Sequence, residues 1–441
     1  MLCEIQIHID GAWRRIARFT PFKDNTPLGY AGCSGHLEYD EEYVIAHFQA
    51  ASQLPPVSLP LPIGFIIEKH DRWPAFLLDL MPTGAGRRGW LDRLGLRDTP
   101  AADWTLLLNG ARHPVGWLRI VGEDSDFVTV TPASGFTRQD VALREQAFLE
   151  YAISMGASVA GSSDVQGESP KLLLTEDKDG LLHADGALPD AEARRHWLVK
   201  FTRSRDERER QILRNEGGYL KLAALMGADV HQADAVLLEG GSALFIPRFD
   251  RLCQNGEVER FGLESFASAA GIPEFGVRAS HEDNCNLILR YSTSPADDLL
   301  EYLRRDLLNV CLGNTDNHLR NHAFLKRRNA QVRLSPFFDF APMFLSPEGI
   351  ARVCRWSGTM ERLAQPDWSA VGKYVANLDG GPGHSQISKL FEESAEKFGH
   401  LAALSEEACV DSNIVTMRSM VVEENRRLLD EAAIEVMRGK E

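Results

Sequence analysis

The sequence predicts an α+β protein: a small α/β N-terminal part, a mixed middle segment and a mainly helical C-terminal part. Three observations carry that prediction. Ile5, Ile7 and Ile9 alternate on one face of a first strand, and Asp10-Gly11 supplies a turn after it. Between about 145 and 260 the order reads helix, Gly/Ser-rich loop, strand, turn, strand, helix, strand. Beyond 261, Leu299, Leu300, Leu303, Leu307 and Val310 recur at helical spacing.

Each element has a local reason. The proline-rich stretch Leu54-Pro-Pro-Val-Ser-Leu-Pro-Leu-Pro62 interleaves Leu and Val, so it reads as a packed extended segment rather than an exposed PxxP ligand. Phe76-Leu-Leu-Asp-Leu-Met-Pro82 follows, then a basic helix, Arg87-Arg-Gly-Trp-Leu-Asp-Arg-Leu94. Residues 121–145 are polar and turn-rich, as at a domain boundary. Asp177-Lys-Asp-Gly180 marks a hairpin turn. Ser294-Pro295-Ala296-Asp297 opens the long helix, with Ser as cap, Pro in the first turn and an acid at the third position. Residues 405–438 read as one or two amphipathic helices capped by Ser405.

Composition narrows the function classes. A chain of 441 residues spans about two or three domains and can bury a sizeable core without staples. The net charge of -15 argues against general phosphate binding over the surface, so no direct nucleic-acid binding is expected from this chain alone. Seven cysteines, odd in number and without a CxxC pair, argue against a disulfide framework or a zinc ribbon. They point to a reducing, cytoplasmic compartment. No apolar run approaches the roughly 20 residues of a membrane span.

The chemistry concentrates in Cys311-Leu-Gly-Asn-Thr-Asp316-Asn-His318-Leu-Arg-Asn321-His-Ala-Phe-Leu and in Leu334-Ser-Pro-Phe-Phe-Asp339. Asp-x-x-x-x-Asn, with a second Asp about twenty residues on after a strand, is what a kinase needs. One Asp takes the hydroxyl proton; the Asn and the second Asp hold Mg²⁺ against the nucleotide phosphates. Single Asn and Asp residues often only cap helices, but the ordered set is harder to explain that way. A zinc-hydrolase reading of Asp316, His318, His322 and Asp339 lacks the Glu that should follow the first His. Three further stretches fit nucleotide binding. Gly161-Ser162-Ser163-Asp-Val-Gln-Gly167-Glu-Ser-Pro-Lys171 is a Gly/Ser-rich loop running into a basic residue and a strand, with the GK[ST] ending of a Walker A missing. Lys200 lies inside the apolar strand His196-Trp-Leu-Val-Lys200-Phe, with Glu216 of the next helix as candidate partner; an edge-strand lysine reaching solvent is the bland alternative. Arg248-Phe249-Asp250-Arg251 reads equally as a hinge offering backbone groups to adenine or as a structural ion pair.

In this order the motifs resemble the HipA family, serine/threonine kinases that serve as toxins in bacterial toxin–antitoxin pairs. The resemblance covers nearly the whole chain. It is most specific in Arg248–Arg251, Asn314–Asn321 and Pro336–Asp339. It implies a two-lobed protein-kinase-like core behind the N-terminal subdomain. The expected domains are 1–145, an N-lobe over 146–255 and a helical C-lobe over 256–441. Asp316 is the implied catalytic residue and His318 its supporting neighbour; Asn321 and Asp339 hold Mg²⁺. Lys171, Lys200, Glu216, Gly167 and Phe249 serve ATP, Phe249 through its backbone. A protein substrate and a HipB-like DNA-binding antitoxin are the implied partners. The family's autophosphorylated loop serine aligns nearest Asp164, with Ser163 adjacent and Ser162 next, so both serines are candidates. The alternative is a catalytically weak nucleotide-binding partner of a DNA-bound repressor.

Overall fold

The computed structural model describes residues 2–49, 54–122, 135–154, 170–202 and 206–439. The chain forms two compact units. The first comprises residues 1–205, 237–275 and 325–331; the second comprises 206–236, 276–324 and 332–441.

Two five-stranded antiparallel sheets build the first unit. Strands β1 (Cys3–Ile9), β2 (Ala12–Pro21), β3 (Gly35–Tyr39), β4 (Glu68–His70) and β5 (Leu118–Gly122) run in the order β4-β3-β2-β1-β5. Ile5, Ile7 and Ile9 are buried, as their alternation predicts. Asp10 and Gly11 both take positive φ, 54° and 72°, which the tight β1–β2 turn requires. Leu54, Val57 and Leu61 of the proline-rich stretch pack onto the same core as Trp73, Phe76 and Trp104.

The second sheet orders β6 (Lys171–Glu176), β7 (Leu182–Ala184), β8 (Arg195–Phe201), β9 (Leu237–Glu239) and β10 (Ala243–Pro247) as β7-β6-β8-β10-β9. Asp177 turns β6 into β7: its Oδ1 accepts the N–H groups of Asp179 and Leu181, and Gly180 takes φ +82°. Leu172, Leu174, Trp197, Val199, Phe201, Ala243 and Phe245 form its core face with Val141 and Phe148. Val141 belongs to a helix, Arg138–Leu143, inside the stretch read as a turn-rich boundary. The Thr137/Asp140 capping box starts that helix, and burial of Val141 and Ala142 holds it against the sheet.

Helices dominate the second unit. Pro295–Leu312 begins at the predicted residue, but Ser294 makes no cap hydrogen bond. Ser292 acts instead, accepting the Ser294 N–H at 3.0 Å and donating to Asp298 at 2.6 Å. Leu299, Leu303 and Leu307 face the core. The C-terminal pattern splits into Leu401–Glu407 and Ser412–Arg438. Ser405 is therefore no cap; it lies within the shorter helix and is buried there. The chain breaks after it because Cys409 takes a left-handed φ of 61°, which no helix continues through. Among the described residues no helix is long and apolar enough to cross a membrane.

Candidate functional site

Helix Pro295–Leu312 delivers the chain to the polar loop of the second unit. Gly313 ends it in the left-handed conformation, φ +77°, where a Cβ would stand 2.7 Å from the Phe344 ring. The next nine residues are held by their own side chains. Asn314 Nδ2 donates to Asn309 Oδ1 at 2.9 Å. Asn321 Nδ2 donates to the Asp316 carbonyl at 2.7 Å, closing the loop across five residues. His318 caps the short 3₁₀ turn Leu319–Asn321, its Nδ1 accepting the Arg320 N–H at 3.2 Å. With Nδ1 as acceptor, the ring proton of the neutral histidine sits on Nε2, which lies 3.5 Å from Asp316 Oδ1. Asp316, His318 and Asn321 are thus brought together, and the Asp316 side chain stays 22% exposed.

Asp339 lies in the same unit with φ +56°. Asp tolerates that region better than most residues. Its neighbours hold it there: Phe337 and Phe340 are buried with ring centroids 4.7 Å apart, and Phe340 packs on Tyr219. The Phe337 N–H donates to the Asp229 carbonyl at 2.6 Å. The aromatic side chains anchor the turn while the Asp339 carboxylate stays half-buried rather than sealed in the core.

These residues suit Mg²⁺. Because the Asn321 amide nitrogen is committed to Asp316, its planar amide turns Oδ1 away from that bond. Asn321 Oδ1 and the Asp339 carboxylate are hard oxygen donors, and Mg²⁺ takes few protein ligands when phosphates and water complete its shell. A zinc hydrolase needs a fuller set. Among the described residues no group of three or more His, Cys, Asp and Glu is placed to hold a metal ion.

The lysines are organised by the second sheet of the first unit. β8 lies between β6 and β10, so Lys200 is not on an edge, and it is only 3% exposed. Lys171 sits directly opposite it across the β6–β8 ladder. Opposed residues of an antiparallel pair share a face. Trp197, Val199 and Phe201 fill the core side, so the pleat turns Lys200 and Lys171 to the other side, beside half-buried Leu173, Leu198 and Ile246. Two ammonium groups over an apolar floor can neutralise phosphates while the floor receives an aromatic ring. Lys200→Met is therefore expected to weaken binding of a non-hydrolysable ATP analogue by about 10- to 100-fold in calorimetric titration, one charge-assisted contact. Lys171→Met, at an exposed position, should cost less.

Arg248-Phe249-Asp250 is the turn between β10 and β11 (Arg251–Gln254). Here the ion pair exists and is buried. Arg248 Nε and Nη2 donate to the two Asp250 oxygens at 2.9 and 2.7 Å, and Arg248 Nη1 donates to Asp185 at 2.7 Å. Arg251 Nη1 donates to Asp250 at 2.8 Å, and the Gly116 N–H reaches the same carboxylate at 2.6 Å. Phe249, half-buried, is fixed between two clamped arginines. Glu216 is buried on helix Glu207–Leu225 of the second unit. Gly167, Ser162 and Ser163 lie outside the described residues. Asp185 and Asn317, which organise these stretches, carry no local signal: Asp185 sits in a polar connection, and Asn317 is hidden beside Asp316.

Residues 163–402 match the family model of the HipA-like C-terminal domain. The chain belongs to that family. Two relatives come from Sinorhizobium fredii. "Putative kinase Y4mE" is 26% identical over 362 residues, covering 76% of this chain and 80% of the relative. "Putative kinase Y4dM" is 28% identical over 306 residues, covering 65% and 67%. The fold matches a chain of the solved complex of the Shewanella oneidensis MR-1 toxin–antitoxin system HipA, HipB and its operator DNA. That match has a TM-score of 0.61 at 15% identity, over 98% of this chain and 96% of the other. The α+β kinase fold of the HipA type is therefore the fold of this chain.

Proposed function

We propose that this HipA-like chain is an ATP- and Mg²⁺-dependent serine/threonine protein kinase that phosphorylates a protein and itself and arrests growth. One observation carries the reading: in a loop locked by Asn321 on its backbone, the Asp316 carboxylate remains accessible beside a histidine proton. Asp316 accepts the proton of the acceptor hydroxyl as the hydroxyl oxygen attacks the γ-phosphorus and the bond to the bridging oxygen breaks, releasing ADP. His318 holds the loop and aligns the carboxylate. Lys200 and Lys171 offset phosphate charge, Glu216 serves nucleotide binding, and the Phe249 turn offers backbone groups to adenine. Asn321 and Asp339 would hold Mg²⁺, which would supply neutralisation of phosphate charge. Seven free thiols suit a reducing cytoplasm. The solved HipA–HipB–DNA relative supports a HipB-like antitoxin as partner, through which DNA is reached.

The test is incubation of the purified chain with γ-labelled ATP and Mg²⁺, alone and with cell lysate. Label on the chain, mapped to Ser163 or Ser162, and on a discrete lysate protein is the expected result. Normal ATP binding without transfer to any protein would sink the reading.

A further inference from the structure

The first sheet of the first unit is bordered by an apolar patch that its own core does not use. Helix Glu41–Gln49 buries Tyr43 and Val44 and is anchored there, the Tyr43 hydroxyl donating to the Pro55 carbonyl at 2.8 Å. Another side of the helix presents Ile45 and Phe48, 41% and 66% exposed. Three residues apart, they share one face. Phe65, Ile66 and Ile67 lead into the edge strand β4 and are 64%, 78% and 57% exposed. The Phe48 and Phe65 rings stack with centroids 6.4 Å apart and planes 23° from parallel, which joins the two rows into one surface.

Local structure gives no reason for these side chains. An exposed helix position accepts a polar residue freely, and edge strands carry charge to discourage pairing. β4 follows that rule with Glu68 and Lys69, but the three residues before it do the reverse. At roughly 100 Å² for each side chain so exposed, the patch measures about 500 Å², a size that marks an interaction site. Two such patches face to face remove about 1,000 Å² from water before any polar rim is counted, which reaches the size of a specific interface.

The charges at the border fit a second copy. From the Phe48–Phe65 stack one row leads to exposed Glu41 and Glu42, and the other leads to exposed Lys69. A two-fold axis through the stack exchanges the rows, so the acids of one copy meet the lysine of the other. A chain of net charge -15 offers few surfaces on which two copies approach on such terms. We propose that this patch is a homodimer contact, its partner a second copy of this chain paired through the Phe48–Phe65 surface. The proposal stands independently of the kinase reading.

Sedimentation of the full chain between about 1 and 100 µM should show its mass rise from 49.1 kDa toward twice that value. Ile66→Asp places a charge in the apolar contact and should weaken the dimer at least about tenfold. Its melting temperature at low concentration should stay within about 2 °C of wild type, because the side chain is exposed in the single chain. Should that variant fail to fold, Lys69→Glu decides the matter: it sets acid against acid and should weaken the dimer about threefold, a loss that Glu41→Lys in the same chain recovers. A wild-type chain that stays monomeric at about 100 µM overturns the proposal. So does an Ile66→Asp chain that dimerises as tightly as wild type, or a Lys69→Glu loss that Glu41→Lys does not recover. A monomeric chain whose residues 65–70 gain amide protection only when a HipB-like antitoxin is added would assign the patch to that partner and overturn the proposal as well.

Discussion

Replacing Asp316 by asparagine is expected to cut phosphoryl transfer by about 10²–10⁴-fold, the contribution of a positioned general base. The substitution is informative because it keeps the backbone carbonyl on which the loop closes. Asn321 is bonded to the Asp316 carbonyl, a backbone atom that asparagine retains. The side chain that changes is partly exposed, and His318 Nε2 lies 3.5 Å from it, beyond ordinary hydrogen-bond length. Asparagine matches aspartate in size, so stability should move by about 1 kcal/mol or less, and a melt separates lost chemistry from unfolding. Steady-state transfer from labelled ATP, beside a thermal melt, checks both halves. Activity within tenfold of wild type would remove Asp316 from the base role. The cellular counterpart separates the two readings of the family resemblance. A kinase toxin loses growth arrest with this substitution, whereas a non-catalytic nucleotide-binding partner arrests growth as strongly as before.

Residues that act through short covalent spacing were legible in the sequence. Asp316 and Asn321 lie five apart in a loop that follows a well-patterned helix, and that spacing alone lets one close onto the other. Asp339 was legible from spacing as well, about twenty residues beyond Asp316 and after a strand. Lys171 and Lys200 were each visible, but their facing positions depend on the β6–β8 register, which is set by a connection whose own path the composition does not encode. The Arg248/Asp250 alternative stayed open because its deciding partners, Asp185 and the Gly116 N–H, are 63 and 134 residues away. Asn317 is the extreme case: it sits beside the most conspicuous residue of the chain, yet its partners lie 36 and 37 residues further on. Capping chemistry misled twice: Ser294 makes no cap hydrogen bond, and at Ser405 a good cap residue was drawn inside a helix by burial against its neighbours.

The second large effect is expected at Asp250, where the consequence is stability. Its carboxylate accepts hydrogen bonds from Arg248, Arg251 and the Gly116 N–H, all sealed from water. With Asp185 the group holds two guanidinium and two carboxylate charges, so it is balanced. Asp250→Asn leaves an uncompensated positive charge in that interior, at a cost of about 3–5 kcal/mol. For a unit of this size that lowers the melting temperature by about 6–20 °C. Phe249 lies between the two arginines, so weaker binding of an ATP analogue should accompany the loss. The pH dependence adds a check. Burial pushes the Asp250 carboxyl up, but Arg248 and Arg251 outweigh it and hold it well below the usual carboxylate range. Asp185 is likewise held low, with burial opposed first by Arg248. A carboxyl whose folded pKa is depressed binds fewer protons folded than unfolded. Its stabilisation is thus complete above the ordinary carboxylate pKa near 4 and drains away as pH falls below it. The gap between wild type and Asp250→Asn should therefore be widest at neutral pH and narrow steadily from about pH 4 toward pH 2. Melts across that range measure it directly, and a neutral-pH difference under about 3 °C, or a gap that does not narrow with acid, would show that the clamp does not stabilise the unit.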